Sequence, residues 1–207
     1  VISESDLIDE LSRDGLGWAR FDKDRRYRFR LGRKLTPQTL NITWGEIIAF
    51  GGFGLSRVVF LMLNPSTANA FKPDPTVDRC CEFARRWGAD VLEVVNLFAF
   101  ISTDPRELTK ATVPGWAPIE ACGGGVKNNM EILAACRGAT RVVAAWGTGG
   151  SLYERDQRVI HLLDDHDIEL SVLRLTKEGH PNHPLSRGKN FIPYETVPRA
   201  WKGELVL

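Results

Sequence analysis

The chain has 207 residues and a net charge of +1, with 43% apolar and 26% charged residues, enough for one domain with a substantial core and ordinary for a water-soluble globular protein. No apolar run reaches the roughly 20 residues of a membrane span and no leader pattern opens the chain, so a cytoplasmic protein without a membrane partner is expected. The near-neutral total gives no argument for nucleic acid, and Cys80, Cys81, Cys122 and Cys136 form no C-x-x-C pattern, which reads as buried free thiols with no metal and no cofactor implied.

In chain order, Leu7, Ile8 and Leu11 recur at helical spacing and predict a short amphipathic helix over 3–15, ended by Asp14-Gly15. Eight cations follow between Arg20 and Lys34, opposed only by Asp22 and Asp24. Within them Arg26, Arg28 and Arg30 alternate with Tyr27, Phe29 and Leu31. Period two places three guanidinium groups on one face of a strand over 26–31. Such a face suits phosphate, because each planar fork makes two hydrogen bonds at once. It equally suits a solvated outer strand that resists edge pairing. A second strand is expected over 40–50, then a turn at Gly51-Gly52-Phe53-Gly54.

The run from Arg57 to Leu63 is nearly unbroken in apolar residues, as in a strand covered on both faces. Pro75 to Trp87 reads as a helix, with Pro75 in its first turn and Gly88 at its stop. Val91 to Asn96 is the next strand, and Asn128 to Cys136 the next helix. Arg141 to Trp146, Leu152 to Asp165 and Ile168 to Leu175 give strand, helix and strand. Pro198 to Leu207 carries no pattern that assigns it.

Strands alternating with helices predict an α/β fold, a three-layer α/β/α arrangement with a mostly parallel central sheet. The chain forms a single domain in this reading, with residues 1–50 packed on a core of 57–191. Ligands in such sheets bind outside the carboxyl ends of the strands. Those ends are Asn64-Pro65-Ser66, Asn96-Leu97-Phe98, Gly147-Thr148 and the loop Lys177 to Ser186.

Four of these segments resemble the uracil-DNA glycosylase superfamily. Val58 to Pro65, an apolar strand running into Asn-Pro, resembles the first catalytic motif of its mismatch-specific and single-strand-selective branches. Val94-Val95-Asn96 resembles the strand whose terminal Asn reads a pyrimidine edge. Val142 to Gly147 resembles the strand ending in Trp-Gly. His183-Pro184-Leu185-Ser186, or His180-Pro181 in another register, resembles the His-Pro loop, and Arg187 to Phe191 the polar stretch after it that approaches DNA. Still closer is a group of bacterial and phage domains sharing Leu-Asn-Pro-Ser-Thr-Ala and His-Pro-Leu, to which no activity attaches. Met62 and Ser66 replace family glycines, and Ser66-Thr67 stand near the place of the bulky Tyr that excludes larger bases.

The resemblance implies a uracil-DNA-glycosylase-like fold and a monofunctional DNA N-glycosylase that hydrolyses the bond to a flipped pyrimidine and leaves an abasic site. The lost pocket bulk favours a bulky modified base, such as a modified cytosine of phage DNA, which means antiviral defence. A deaminated or mismatched base, which means repair, is the other substrate class. Asn64 would orient water, since a carboxamide is no strong base, and His183 or His180 would donate to the departing base. Asp78 is an outside candidate for activating the water. Asn96, Ser66 and Thr67 would bind the base, and Arg187, Lys189 and the Arg26/Arg28/Arg30 face would hold DNA phosphates. The protein would act as a monomer.

Plainer readings stand beside these. Asn64 and Asn96 are also ordinary turn residues. His180 and His183, three apart, could serve a turn or bind a metal. A non-catalytic nucleic-acid- or nucleotide-binding module of the same fold, or an N-glycosidase of free nucleosides or nucleotides, are the alternatives in function.

Overall fold

A computed structural model of the chain describes residues 2–51, 54–113 and 115–203. Eight strands form one sheet, β1 (Leu7–Leu11), β2 (Gly17–Asp22), β3 (Arg28–Lys34), β4 (Arg57–Met62), β5 (Val91–Asn96), β6 (Arg141–Ala144), β7 (Leu170–Val172) and β8 (Arg199–Trp201), in the order β1-β2-β3-β5-β4-β6-β7-β8. Among the described residues five α-helices accompany them, α1 (Trp44–Phe50), α2 (Pro75–Arg86), α3 (Pro118–Ala121), α4 (Val126–Cys136) and α5 (Arg155–Asp164). The fold is therefore α/β, but the sheet is not mostly parallel. Only the neighbours β5-β4-β6-β7 run parallel, and the other pairings are antiparallel. The reason is local: β1, β2 and β3 are joined by tight turns, which can only produce an antiparallel meander.

The parallel strands carry the doubly wound part. The chain leaves β4 for β5 on one side through α2, then crosses back to β6 on the other side through α4. This makes β4 the point where strand order reverses. All six residues of β4 and of β5 are buried, as strands covered on both faces must be. Val58, Phe60, Met62, Leu92 and Val94 pack on Val77, Cys80, Phe83 and Ala84 of α2 and on Ile192 and Tyr194 of the C-terminal segment. Val59, Leu61, Val95, Val142 and Ala144 pack on Ile132 and Ala135 of α4 and on Val159 and Leu163 of α5. Two apolar clusters thus separate three layers. All four cysteines are buried free thiols within or beside these clusters, and burial raises each of them.

On the α4 side the strands enclose a charged group. Glu93 of β5, fully buried, accepts from Arg30 Nε and Nη2 at 3.0 and 2.6 Å and from Arg57 Nη1 at 2.6 Å. Trp18 lies against the Arg30 guanidinium, 5.0 Å from ring centre to Cζ.

Two expected elements are replaced. The segment 3–15 forms a turn and then β1, paired with β2 from Leu7–Asp22 to Leu11–Trp18. The apolar spacing there is as compatible with an outer strand, and Ile8 and Leu11 remain exposed. The segment 40–50 holds α1 rather than a strand, because Thr43 and Glu46 form a reciprocal capping box. Of the Gly51–Gly54 turn, Gly51 ends α1 in the left-handed region with φ 69°, and residues 52 and 53 lie outside the described part. Among the described residues no helix is long and apolar enough to cross a membrane.

Candidate functional site

A cavity of about 490 Å³ opens at the carboxyl ends of β4, β5 and β6, where the strand order reverses. Its walls come from the loop after β4 (Leu63, Asn64, Ser66), the end of β5 (Asn96), the loop 102–105, the Trp146–Gly149 turn, the start of α2 (Asp74, Thr76, Val77), His183, and Arg28. Cavities of this size suit small ligands.

Asn64 is held between the loops that leave β4 and β5. The loop leaving β4 is stitched to the one leaving β5 by Leu97 N donating to Met62 O, Phe98 N to Leu63 O and Ser102 N to Pro65 O. Asn64 Nδ2 donates to Ser102 O at 2.8 Å and to Pro65 O at 3.2 Å. Two carbonyls around one end of the amide fix its orientation and make Oδ1 the end left to accept a hydrogen bond.

Asn96 closes β5 and is 1% exposed. Its Nδ2 is buried without a partner, a costly state for an amide unless a ligand meets it. Trp146 Nε1 in the same wall is also buried and unpaired, while its ring packs on Trp201 at 5.7 Å.

Arg28 reaches the cavity through a break in strand alternation. In the β2–β3 pairing Arg20 faces Arg30, but Phe21 faces Arg28, so Phe29 is an inserted residue. A bulge turns the residues on its two sides to opposite faces. Arg30 therefore points at Glu93 and α4, while Arg28 points at α2. Arg28 is 2% exposed and donates from Nη1 to Ala68 O at 2.6 Å.

The late loop is anchored from three directions. Gly147 N donates to Pro181 O at 2.7 Å. Asn182 Nδ2 donates to Asn190 O and its Oδ1 accepts from Ser186 Oγ at 2.6 Å. Arg79 of α2 donates from Nε to Pro184 O at 2.6 Å and from Nη2 to Ile192 O, with its guanidinium 4.3 Å from the centre of the Tyr194 ring. Leu185 N donates to His183 Nδ1 at 3.2 Å. That nitrogen is then an acceptor, so the neutral ring carries its proton on Nε2. Burial pushes the His183 imidazole below its ordinary 6.5, opposed by the upward pull of Asp74. Asp74 itself caps α2, its Oδ1 accepting from Val77 N at 2.8 Å.

The cavity thus brings together Asn64, Ser66, Asn96, His183 and Arg28 from the expected set. The rest stand elsewhere. His180 does not line it; its Nδ1 lies 4.0 Å from Asp156 Oδ2, a carboxylate buried in the first turn of α5. Asp78 sits on the exposed side of α2, and Thr67 is exposed and outside the cavity lining, so neither faces Asn64 across the cavity. Arg30 is sealed beneath α4 and meets no phosphate, which dissolves the expected three-arginine face; Arg26 is exposed and lies over the Tyr27 ring at 5.9 Å. Arg187 and Lys189 are exposed on the segment after His183. Among the described residues no three His, Cys, Asp or Glu side chains gather as metal ligands. Arg79 belongs to no motif of the sequence, although a cation four residues before Phe83 on the buried half of an amphipathic helix is a signal that points to it.

A search of curated proteins and a search of solved structures each return no match. A family model described as "Protein of unknown function (DUF1643)" matches residues 52–185. That stretch runs from before β4 to the loop beyond His183 and contains Asn64, Asn96 and His183, while Arg28 precedes it. Covering more than half of the chain, the match makes this protein a member of the DUF1643 family.

Proposed function

We propose that the chain is a DNA N-glycosylase with a uracil-DNA-glycosylase-like fold, acting on a flipped pyrimidine. The observation that carries this reading is the meeting in one cavity of Asn64, the unpartnered amide of Asn96 and a neutral His183. In hydrolysis the bond from C1′ to the ring nitrogen breaks with its electron pair leaving on the base. A water oxygen bonds to C1′, and the proton it gives up ends on the nitrogen that lost the sugar. Asn64 Oδ1 orients that water by accepting from it. His183 Nε2–H donates to the base oxygen on which charge grows, and a neutral imidazole does this without giving up its proton. Asn96 Nδ2 donates to the base edge. Ser66 and Thr76 contribute only small side chains to the wall, and the room they leave for a substituted ring favours a modified cytosine over uracil.

The test is incubation with duplexes carrying uracil, hydroxymethylcytosine or glucosylated hydroxymethylcytosine, followed by alkali. Breakage is expected on at least one and is lost in Asn64→Ala and His183→Ala. Intact strands on all three at stoichiometric protein overturn the reading.

The burial of Arg28 and Arg30 favours a second reading, an N-glycosidase of free nucleosides or nucleotides, because it removes two of the expected phosphate contacts. Salt separates the two: turnover on DNA weakens steeply as salt rises, and turnover of a free nucleoside does not.

A further inference from the structure

Arg28 differs from the other buried arginines of the sheet. Arg30 and Arg57 are both neutralised by Glu93. Arg28 is as deeply buried, and like them it has a guanidinium nitrogen without a partner, yet it takes part in no ion pair among the described residues. Desolvation lowers its pKa to about 10, with Asp74 pulling upward, so it keeps its charge at neutral pH. Burying a cation without a direct ion-pair partner is costly. A β-bulge aims that cation into the same cavity as Asn64, Asn96 and His183, where Asp74, engaged as the cap of α2, acts on it only from a distance and leaves a direct contact for a bound anion to make.

We infer that Arg28 is a ligand-binding residue that holds an anionic ring oxygen, the charge a pyrimidine carries once its glycosidic bond has broken. The inference rests on the glycosylase reading and adds to it the group that answers the charge on the departing ring, whichever pyrimidine that ring is. Arg28 donates hydrogen bonds and transfers no proton. The two electrons of the broken bond stay on the ring, delocalised to the oxygen that the guanidinium faces. His183, neutral, supplies a second donor but no charge, so Arg28 is the group that makes the site discriminate between charged and neutral rings.

The experiment is calorimetric titration of the purified protein at pH 8 with free uracil, which is neutral there, with 5-nitrouracil, which is a ring anion, and with inorganic phosphate. The anion is expected to bind at least tenfold more tightly than uracil. Arg28→Gln should abolish that ratio and Arg28→Lys should keep part of it, while phosphate fails to displace either base. Equal binding of the two bases by the unaltered protein, or a ratio that survives Arg28→Gln, overturns the role of Arg28 and leaves the glycosylase reading standing. Binding of neither base, or displacement by phosphate, overturns the base-binding reading itself. Should Arg28→Gln fail to fold, titration of the unaltered protein with 5-fluorouracil, whose ring ionises at about pH 8 and so well below the Arg28 value of about 10, gives the same comparison: tightening as the ring deprotonates supports the inference, and a flat affinity overturns it.

Discussion

Arg79→Met removes the tether between α2 and the His183 loop while keeping an unbranched apolar side chain of similar reach. The arginine donates to Pro184 O and Ile192 O, and its guanidinium packs among Phe83, Phe191 and Tyr194 at 5.2, 5.1 and 4.3 Å from the ring centres. Two charge-assisted hydrogen bonds contribute about 1.5–3 kcal/mol each. Methionine restores part of the packing and the freed carbonyls recover some water, so the net loss expected is about 2–4 kcal/mol. Urea unfolding measures it. The informative assay follows the imidazole of His183 by NMR across pH. Its depressed pKa comes from burial, and the loop that buries it is what Arg79 holds. The pKa should therefore climb toward the ordinary 6.5 in Arg79→Met and partway in Arg79→Lys, which keeps the charge but cannot span both carbonyls. A displaced His183 also costs turnover, since an ångström of misplacement can cost on the order of a hundredfold. If stability falls while His183 titrates unchanged, the tether holds the C-terminal segment and does not position the ring, and the reasoning fails.

Glu93→Gln leaves Arg30 and Arg57 buried against a neutral amide, and breaking a buried charge group in this way should cost about 3–5 kcal/mol, read as a lowered urea midpoint; a change under about 1 kcal/mol would mean that water enters beneath α4. Protonation of His183 converts Nδ1 from acceptor to donor against Leu185 N–H. Its neutral form is the one favoured by folding, so its contribution to stability is complete above the ordinary 6.5 and disappears as pH falls through the lowered folded value. Activity on a cleavable substrate should hold below the ordinary histidine range and then fall on the acid side; an acid limb centred above 6.5 would contradict this assignment. In Gly17→Ala the new methyl carbon would sit 1.9 Å from Ala70 O, so β2 and the loop at the cavity rim must part. About 1–3 kcal/mol of stability should be lost, and an unchanged melting temperature would show that the rim does not rest on β2.

What is legible in the sequence follows from how much each signal depends on its own neighbours. The buried strands β4 and β5 and helix α2 announce themselves, because both faces of the strands are covered and the Asp74-Pro75 start of the helix is a local capping device. The strand ends carrying Asn64 and Asn96 follow from those strands, and the parallel arrangement then brings them together. The edges are different. Leu7, Ile8 and Leu11 fit a helix and a strand alike, and only pairing with β2 decides between them. The capping box at Thr43 and Glu46, by contrast, is a local signal: a threonine followed three residues later by a glutamate marks a helix start, and it outweighs the apolar run that suggests a strand over 40–50.

Arg28 marks the boundary of what alternation can say. Period two holds only while both partners advance one residue per step. One inserted residue, Phe29, separates three arginines that look equivalent into three fates. Arg26 is exposed over Tyr27, Arg28 faces the cavity, and Arg30 is locked to Glu93. Nothing within Arg-Tyr-Arg-Phe-Arg-Leu signals the insertion, because the bulge exists only relative to β2. The buried acid that claims Arg30 lies 63 residues further along. A basic stretch that reads as a phosphate-binding face is thus divided by tertiary pairing between the surface, the cavity and the core. The cation that faces the cavity is the one that makes no direct ion pair among the described residues.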